Sequence, residues 1–306
     1  IGKTQTREIL ENSAAKLGYD DVLLLDLNLI DFTPHRVRHT LGTRNLSSPR
    51  GVETVFSEGK TRWTDKVKLM QAIRNARMKA FLTIDSPARR ISNLWANFVL
   101  LQPRATSSEA IMDFVRAYVT VQLLTISNEN EGKFDQAGNL VDGTAIFVTG
   151  DLLNLLPPNL LIMSILDGLE VRGGVDIYLD RAGLLYTLGK NYAEGVKSEE
   201  FVASPADVFK EVYKTYTPEI DGKKGERKVI FSGAVNSESG RDQEVFAVAP
   251  EFTQIPLDFE NRRLSIDGRL VKGAYIDKYG EQISFISNPQ KVQYKALVID
   301  GRYKTV

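Results

Sequence analysis

The chain has 306 residues, with 39 Lys+Arg balanced by 39 Asp+Glu, two His and no Cys. The lack of Cys excludes disulfides, thiolate metal sites, iron–sulfur ligation and Cys nucleophiles, and two His argue against a multi-His transition-metal site. Its length suits one large domain or two ordinary ones, and 42% apolar with 25% charged residues is ordinary for a globular fold.

The opening Ile1-Gly2-Lys3-Thr4 carries no signal-peptide apolar run. The greasiest stretch, Leu152 to Leu166, is interrupted by Asn154 and by Pro157-Pro158, too short for a membrane span of about 20 residues. A soluble protein with no membrane partner is expected.

Residues 4–17 place Ile9, Leu10, Ala14 and Leu17 at helical spacing before Gly18. Asp21 to Phe32 alternates Leu23, Leu25, Leu27 and Leu29 against other positions, which predicts a half-buried strand. Residues 33–62 hold no sustained period and are rich in Pro, Gly, Ser, Thr and Arg, so a long loop or flexible hairpin is expected. A helix follows Thr64, with Leu69, Ala72, Ile73, Ala76 and Ala80 as its buried stripe. Residues 91–102 read as a strand. The next helix has Ile111, Phe114, Val115, Tyr118 and Val119 as its core face.

Residues 126–143 read as a polar loop or hairpin tip, 144–149 as a strand, and 151–167 as a helical region broken at the Pro pair. Val175–Leu179 and Gly183–Leu188 read as paired strands around Asp180-Arg181-Ala182. Ser204-Pro205 predicts the start of a helix over 205–216. Beyond Asp221-Gly222 the pattern is almost entirely β, with Asp267-Gly268, Tyr279-Gly280 and Asp300-Gly301 as turns. No βαβ alternation, repeat or low-complexity tract is evident.

The expected class is α+β, with helices mixed through the N-terminal half and an antiparallel β-rich C-terminal half. Four stretches follow: 1–33, an N-terminal helix and strand; 34–62, an extended Arg-rich loop or hairpin; 63–220, an α/β core region; and 221–306, an antiparallel β region.

Neutrality hides an asymmetry. Pro34 to Arg104 holds 14 Lys+Arg against Glu53, Glu58, Asp65 and Asp85, a net +10, so the rest carries −10. Arg dominates, the bias expected where planar contact with phosphate or carboxylate matters. Arg36, Arg38, Arg44, Arg50, Lys60, Arg62, Arg74, Arg77, Arg89 and Arg90 are therefore the candidate contacts to nucleic acid or to other copies of the chain. The bland alternative is a solvated face paired with acidic residues of the same chain.

Motifs for chemistry are weak. Gly2-Lys3-Thr4 lacks the upstream glycine and strand of a phosphate loop. TREILENSAAKLGYDDV faintly resembles the first helix of TetR-type regulators, but no helix-turn-helix follows. His35 and His39 are four apart among arginines that would repel a dication. Asp176 and Asp180 could pair for glycoside hydrolysis, against a solvated strand face ending in a turn. No catalytic, cofactor or metal site is expected, and the chain is not expected to be an enzyme.

An Arg-rich early segment, a long helix and a β-rich C-terminal half give a profile similar in character to tailed-phage coat subunits of the HK97-like fold. Those combine an N-terminal arm, an extended hairpin, a long helix and two α/β subdomains; no motif carries the likeness. The expectation is a self-assembling structural protein, a virus or phage capsid subunit located in the virion. Its partners would be copies of itself and packaged nucleic acid. The alternatives are a nucleic-acid-binding protein using residues 36–104, cytoplasmic in location, and a phage tail or baseplate component.

Overall fold

The computed structural model describes residues 17, 21–29, 37–45, 53–57, 112, 116, 119, 120, 123, 144–185, 187, 209–223, 226–237, 242–257, 263–271, 273–276, 282–287 and 292–302. Outside these lie most of the first expected helix, the whole 64–82 helix with its stripe, the 91–102 strand, and the 126–143 loop.

Strand dominates. Asp21–Asp26 (β1) and Asn28–Leu29 (β2) pair antiparallel with Val37–Asn45 (β3). One unbroken register runs from Asp21 opposite Asn45 to Leu29 opposite Val37. β1 and β2 are thus one strand line interrupted at Leu27, whose N–H donates to Thr149 O at 2.8 Å. Glu53–Ser57 (β4) folds back on β3, pairing His39 with Ser57 and Thr43 with Glu53. β3 and β4 therefore stand as the two antiparallel arms of a β-hairpin.

Thr144–Thr149 (β5) lies parallel to β1, and Gly173–Leu179 (β6) parallel to β5. Between them run a short 3-10 turn, Asp151–Asn154, and the helix Pro158–Gly168 (α1), with Pro at its first position where no N–H is needed. Glu211–Thr217 (β7) is antiparallel to β6, and Tyr294–Asp300 (β15) runs parallel to β7. Phe252–Pro256 (β11) closes that side. The nine-stranded sheet reads β11–β15–β7–β6–β5–β1–β3, with β2 and β4 both on β3. It draws strands from all four stretches of the chain.

A second sheet of four strands is antiparallel throughout: Asp242–Ala249 (β10), Lys228–Ser237 (β9), Leu264–Leu270 (β12) and Gln282–Ser287 (β14), in that order. Glu219–Ile220 (β8) and Ala274–Tyr275 (β13) make a small ribbon.

One apolar core lies between the two sheets. Ala145, Phe147, Tyr178, Val212, Leu297 and Ile299 come from the large sheet, and Phe231, Val245, Ile266, Leu270 and Ile283 from the small one. Phe147 stacks on Tyr178 with ring centres 4.8 Å apart, and both meet Phe209. Residues of opposite parity, among them Leu23, Leu25, Ile146, Val148, Val175 and Ile177, are fully buried outside that cluster. They line the other face, which α1 covers with Leu161, Ile162, Ile165 and Leu166.

The structure corrects several expectations. The α+β class with helices mixed through the N-terminal half does not hold, because the described elements there are strands. Among the described residues of that half, helical backbone appears only at Leu17, Met112, Arg116, Val119, Thr120 and Leu123 and in the 3-10 turn that begins at Asp151. The long helix on which the HK97-like layout rested lies outside the described residues. The C-terminal half is not purely antiparallel, since β15 returns to a parallel pairing with β7. A βαβ unit exists after all, β5–α1–β6. Residues 211–217 are strand, not helix: Val212, Tyr213, Thr215, Tyr216 and Thr217 favour a pleated, half-buried surface, and this outweighs the capping signal upstream. Leu184, Leu185 and Thr187 are helical, not strand. Asp267-Gly268 lies inside β12 and not at a turn.

Gly268 pairs with Gly233 across β12 and β9, and the Phe231 ring lies over both. A Cβ on Gly233 would sit 2.8 Å from Asp267 O and from Gly268 Cα, both backbone, so neither can swing away. Gly233→Ala is expected to cost about 1–3 kcal/mol. The reading is a lower urea midpoint at unchanged slope; an unmoved midpoint would mean that the strands part there without penalty.

Candidate functional site

The Asp176–Asp180 pair tests the idea of carboxylate chemistry. Both lie on β6 or at its end, and four residues at about 3.3 Å each separate them by on the order of 13 Å. Glycosidase carboxyl pairs stand at most about 9.5 Å apart. Neither group faces water. Asp176 is buried, ion-paired to Lys214 Nζ at 3.0 Å, and accepts a hydrogen bond from Tyr294 OH at 3.0 Å. Asp180 is buried and accepts from the N–H of Leu184 and Leu185 at 2.8 and 3.0 Å and from Thr149 Oγ1 at 3.1 Å. The solvated-strand reading is corrected with the catalytic one. Asp176 joins three strands, and Asp180 caps the turn that leaves β6.

A larger buried network closes the C-terminal strand. Arg302 donates from Nε and Nη2 to the two oxygens of Asp300, at 2.7 and 2.8 Å. Nη1 and Nη2 also reach Asp167 on α1, at 3.0 and 2.9 Å. Arg116 Nη2 approaches the same Asp167 at 3.8 Å, and the Arg302 guanidinium sits 5.5 Å over the Phe252 ring. Burial opposes the Arg302 charge, but Asp300 and then Asp167 outweigh it and hold the guanidinium further above its ordinary range. These groups are spent on one another, so they clamp β15, β11 and α1 together.

The exposed charges are what remains for function. Among the sequence-chosen basic residues, Arg38 pairs in register with Asn28 and Arg44 with Val22, both on β3. Arg36, Arg50, Lys60, Arg62, Arg74, Arg77, Arg89 and Arg90 lie outside the described residues, as does His35; His39 stands opposite Ser57. The structure brings Arg38 and Arg44 to one hairpin strand next to the β4 edge of the large sheet. Among the described residues no three His, Cys, Asp or Glu are grouped to hold a metal ion, and no helix is long and apolar enough to cross a membrane.

Sequence reasoning missed a second surface, the outer face of the four-stranded sheet. Cross-strand register sets it in three rows: Phe246–Ser232–Arg269–Gln282, Glu244–Ala234–Asp267–Ser284 and Asp242–Asn236–Ser265–Ile286. Alternate residues point inward to the core, so these point out. A shallow concavity of about 830 Å³ opens among Ser232, Ala234, Glu244, Phe246, Asp267 and Arg269. Asp267 Oδ1 accepts from Ser284 Oγ at 2.8 Å and from Gln282 Nε2 at 3.3 Å. The Ser284 bond first, and then the Gln282 bond, hold its carboxyl below the ordinary carboxylate range. The signal was present as the alternation DQEVFAVA, where Asp242, Glu244 and Phe246 fall on one face.

No protein-family model and no curated protein matches this chain.

Two measurements check these assignments. Arg302→Met leaves the fully buried Asp300 without its partner and should cost about 3–5 kcal/mol. Arg172→Ala, breaking an exposed pair with Glu219 at 3.0 Å, should cost at most about 1 kcal/mol. Equal losses in urea titrations would refute the clamp. Ser284→Ala should move the Asp267 carboxyl up toward its ordinary range in a carboxyl NMR titration. The sign follows from linkage: the folded value lies below the unfolded one, so this bond's contribution is present above the unfolded carboxylate range and fades as pH falls through the folded value.

Proposed function

We propose that this chain is a self-assembling structural protein, a capsid subunit of a virus or phage particle, with no catalytic role. One observation carries the reading: a neutral chain concentrates a net +10 between Pro34 and Arg104 and leaves −10 for the rest. Such a division is costly to keep within one molecule, where like charges repel, and is useful when copies meet or enclose a polyanion. The β3–β4 pair supports it, because Arg38 and Arg44 of the basic segment lie on β3, next to the outermost described strand of the large sheet. Buried carboxylates saturated by the chain's own donors support a structural role over a hydrolytic one.

Copies of itself are the first partner, and packaged nucleic acid the second. A nucleic-acid-binding protein that does not assemble is the competing reading, favoured by the excess of Arg over Lys in the basic segment. A tail or baseplate component shares the same electrostatics.

The test is particle formation. The wild-type chain is expected to give large shells or tubes by light scattering and negative-stain imaging, weakening as salt rises, because exposed charges are screened over about 8 Å at physiological ionic strength. Arg44→Glu with Arg50→Glu should block assembly and leave circular dichroism of the free chain unchanged. A wild-type chain that stays small at every concentration defeats the proposal. Normal particles from the double variant remove those arginines from assembly.

A further inference from the structure

We infer that the outer face of the four-stranded sheet receives the arginine-rich hairpin of a second copy, in a head-to-tail contact. The inference rests on the assembly reading above and names the surface that assembly would use.

Chemistry comes first. The face presents three exposed carboxylates, Asp242, Glu244 and Asp267, against one guanidinium, Arg269. Small side chains at Ser232, Ala234 and Ser265 leave room between them. Phe246 is 50% exposed in the first row and Ile286 51% in the third, so apolar surface stands at two opposite corners. Carboxylates for a planar fork, an uncovered ring for stacking and a concave floor are what an arginine side chain needs. Hydrogen bonds from Ser284 and Gln282 fix one of those carboxylates in place. The same chain supplies the complementary charge, with Arg38 and Arg44 on β3 inside the +10 segment.

Geometry then selects a neighbouring copy over the chain's own hairpin. Among the described residues β4, beside β3, is outermost in the large sheet on one side and β11 on the other. Seven inter-strand steps of about 4.8 Å separate these edges by on the order of 34 Å. The acidic sheet packs over β5, β6, β7, β15 and β11, through Phe147, Tyr178, Val212, Leu297 and Ile255, so its outer face points away from the large sheet that carries β3. Its outer carboxylates remain exposed. Two different, complementary patches on one molecule make a heterologous contact, which propagates into rings, filaments or closed shells and does not stop at a dimer.

A charge-swap mixture tests this. One variant reverses the face, Asp242→Lys with Glu244→Lys; the other reverses the arginines of β3, Arg38→Glu with Arg44→Glu. Each alone should raise the concentration needed for assembly at least about tenfold, since like charges then meet at every contact. Mixed one to one, they should assemble near the wild-type concentration in strict alternation, because each mixed contact again joins opposite charges. Recovery on mixing supports the contact. Wild-type assembly by the face variant alone overturns it, as does failure of two folded variants to rescue one another; both leave the assembly reading standing. A wild-type chain that never assembles overturns that reading and this inference together.

Discussion

A strand buried along its whole length yet carrying Asp176, with Asp180 at its end, dictates much of what surrounds it. Every residue of β6 is buried, and a carboxylate without partners in that setting costs several kcal/mol or gives up its charge. The chain answers with donors. β7 must lie beside β6 for Lys214 to stand opposite Asp176, and β15 must begin where Tyr294 can reach the other oxygen. After Asp180 the backbone must turn at once, so that two N–H groups converge on its carboxylate. The antiparallel return at β7 and the helical backbone at Leu184 and Leu185 are consequences of these requirements.

Arg302 performs the same task at the C-terminal end, with a cation as the buried group. Two carboxylates from distant segments, Asp167 on α1 and Asp300 on β15, converge on one guanidinium. The crossover helix and the last strand are thereby tied together on the face away from the second sheet. Buried ion networks are weak sources of net stability, but they penalise alternative pairings heavily, because any slip strands a charge. In a sheet that mixes parallel and antiparallel neighbours, such penalties fix the register.

How much of this could be read in advance depends on whether the deciding contact was local. β5 and the Pro-broken helical region ending in α1 follow from periodicity and from Pro157-Pro158, and both were legible. β7 was not, because Ser204-Pro205 is a strong local cap signal while the strand is decided by β6 and β15 on either side. Asp267-Gly268 imitates a hairpin turn; only the register shows that its glycine clears space for the Phe231 ring. Asp176 looked solvated because its partners Lys214 and Tyr294 are 38 and 118 residues away, and Asp180 because its cap needs a helical turn at 184–185 where a strand was expected. The acidic face was legible one strand at a time, but its three rows exist only once four strands are in register. The basic segment shows the reverse case: composition alone exposed the charge, and the fold adds only where Arg38 and Arg44 stand.

Magnitudes decide what kind of assembly such surfaces sustain. An exposed ion pair contributes about 0.5 kcal/mol. Even ten of them, the whole excess of the basic segment, supply about 5 kcal/mol, a contact of roughly millimolar strength on its own. In the proposed contact Phe246 and Ile286 would add apolar area, and the contact would still be weak enough to dissociate. A structure built from many such contacts is therefore stable only when each copy makes several at once, and the second contact is favoured by the effective concentration that the first creates. Weak, screened, head-to-tail contacts also correct their own mistakes, since a misplaced copy leaves before its neighbours lock it in. A neutral chain with a net +10 concentrated in one segment, and with the buried Asp176, Asp180, Asp300 and Arg302 held by partners of its own, has the physical make-up that the proposed assembly requires.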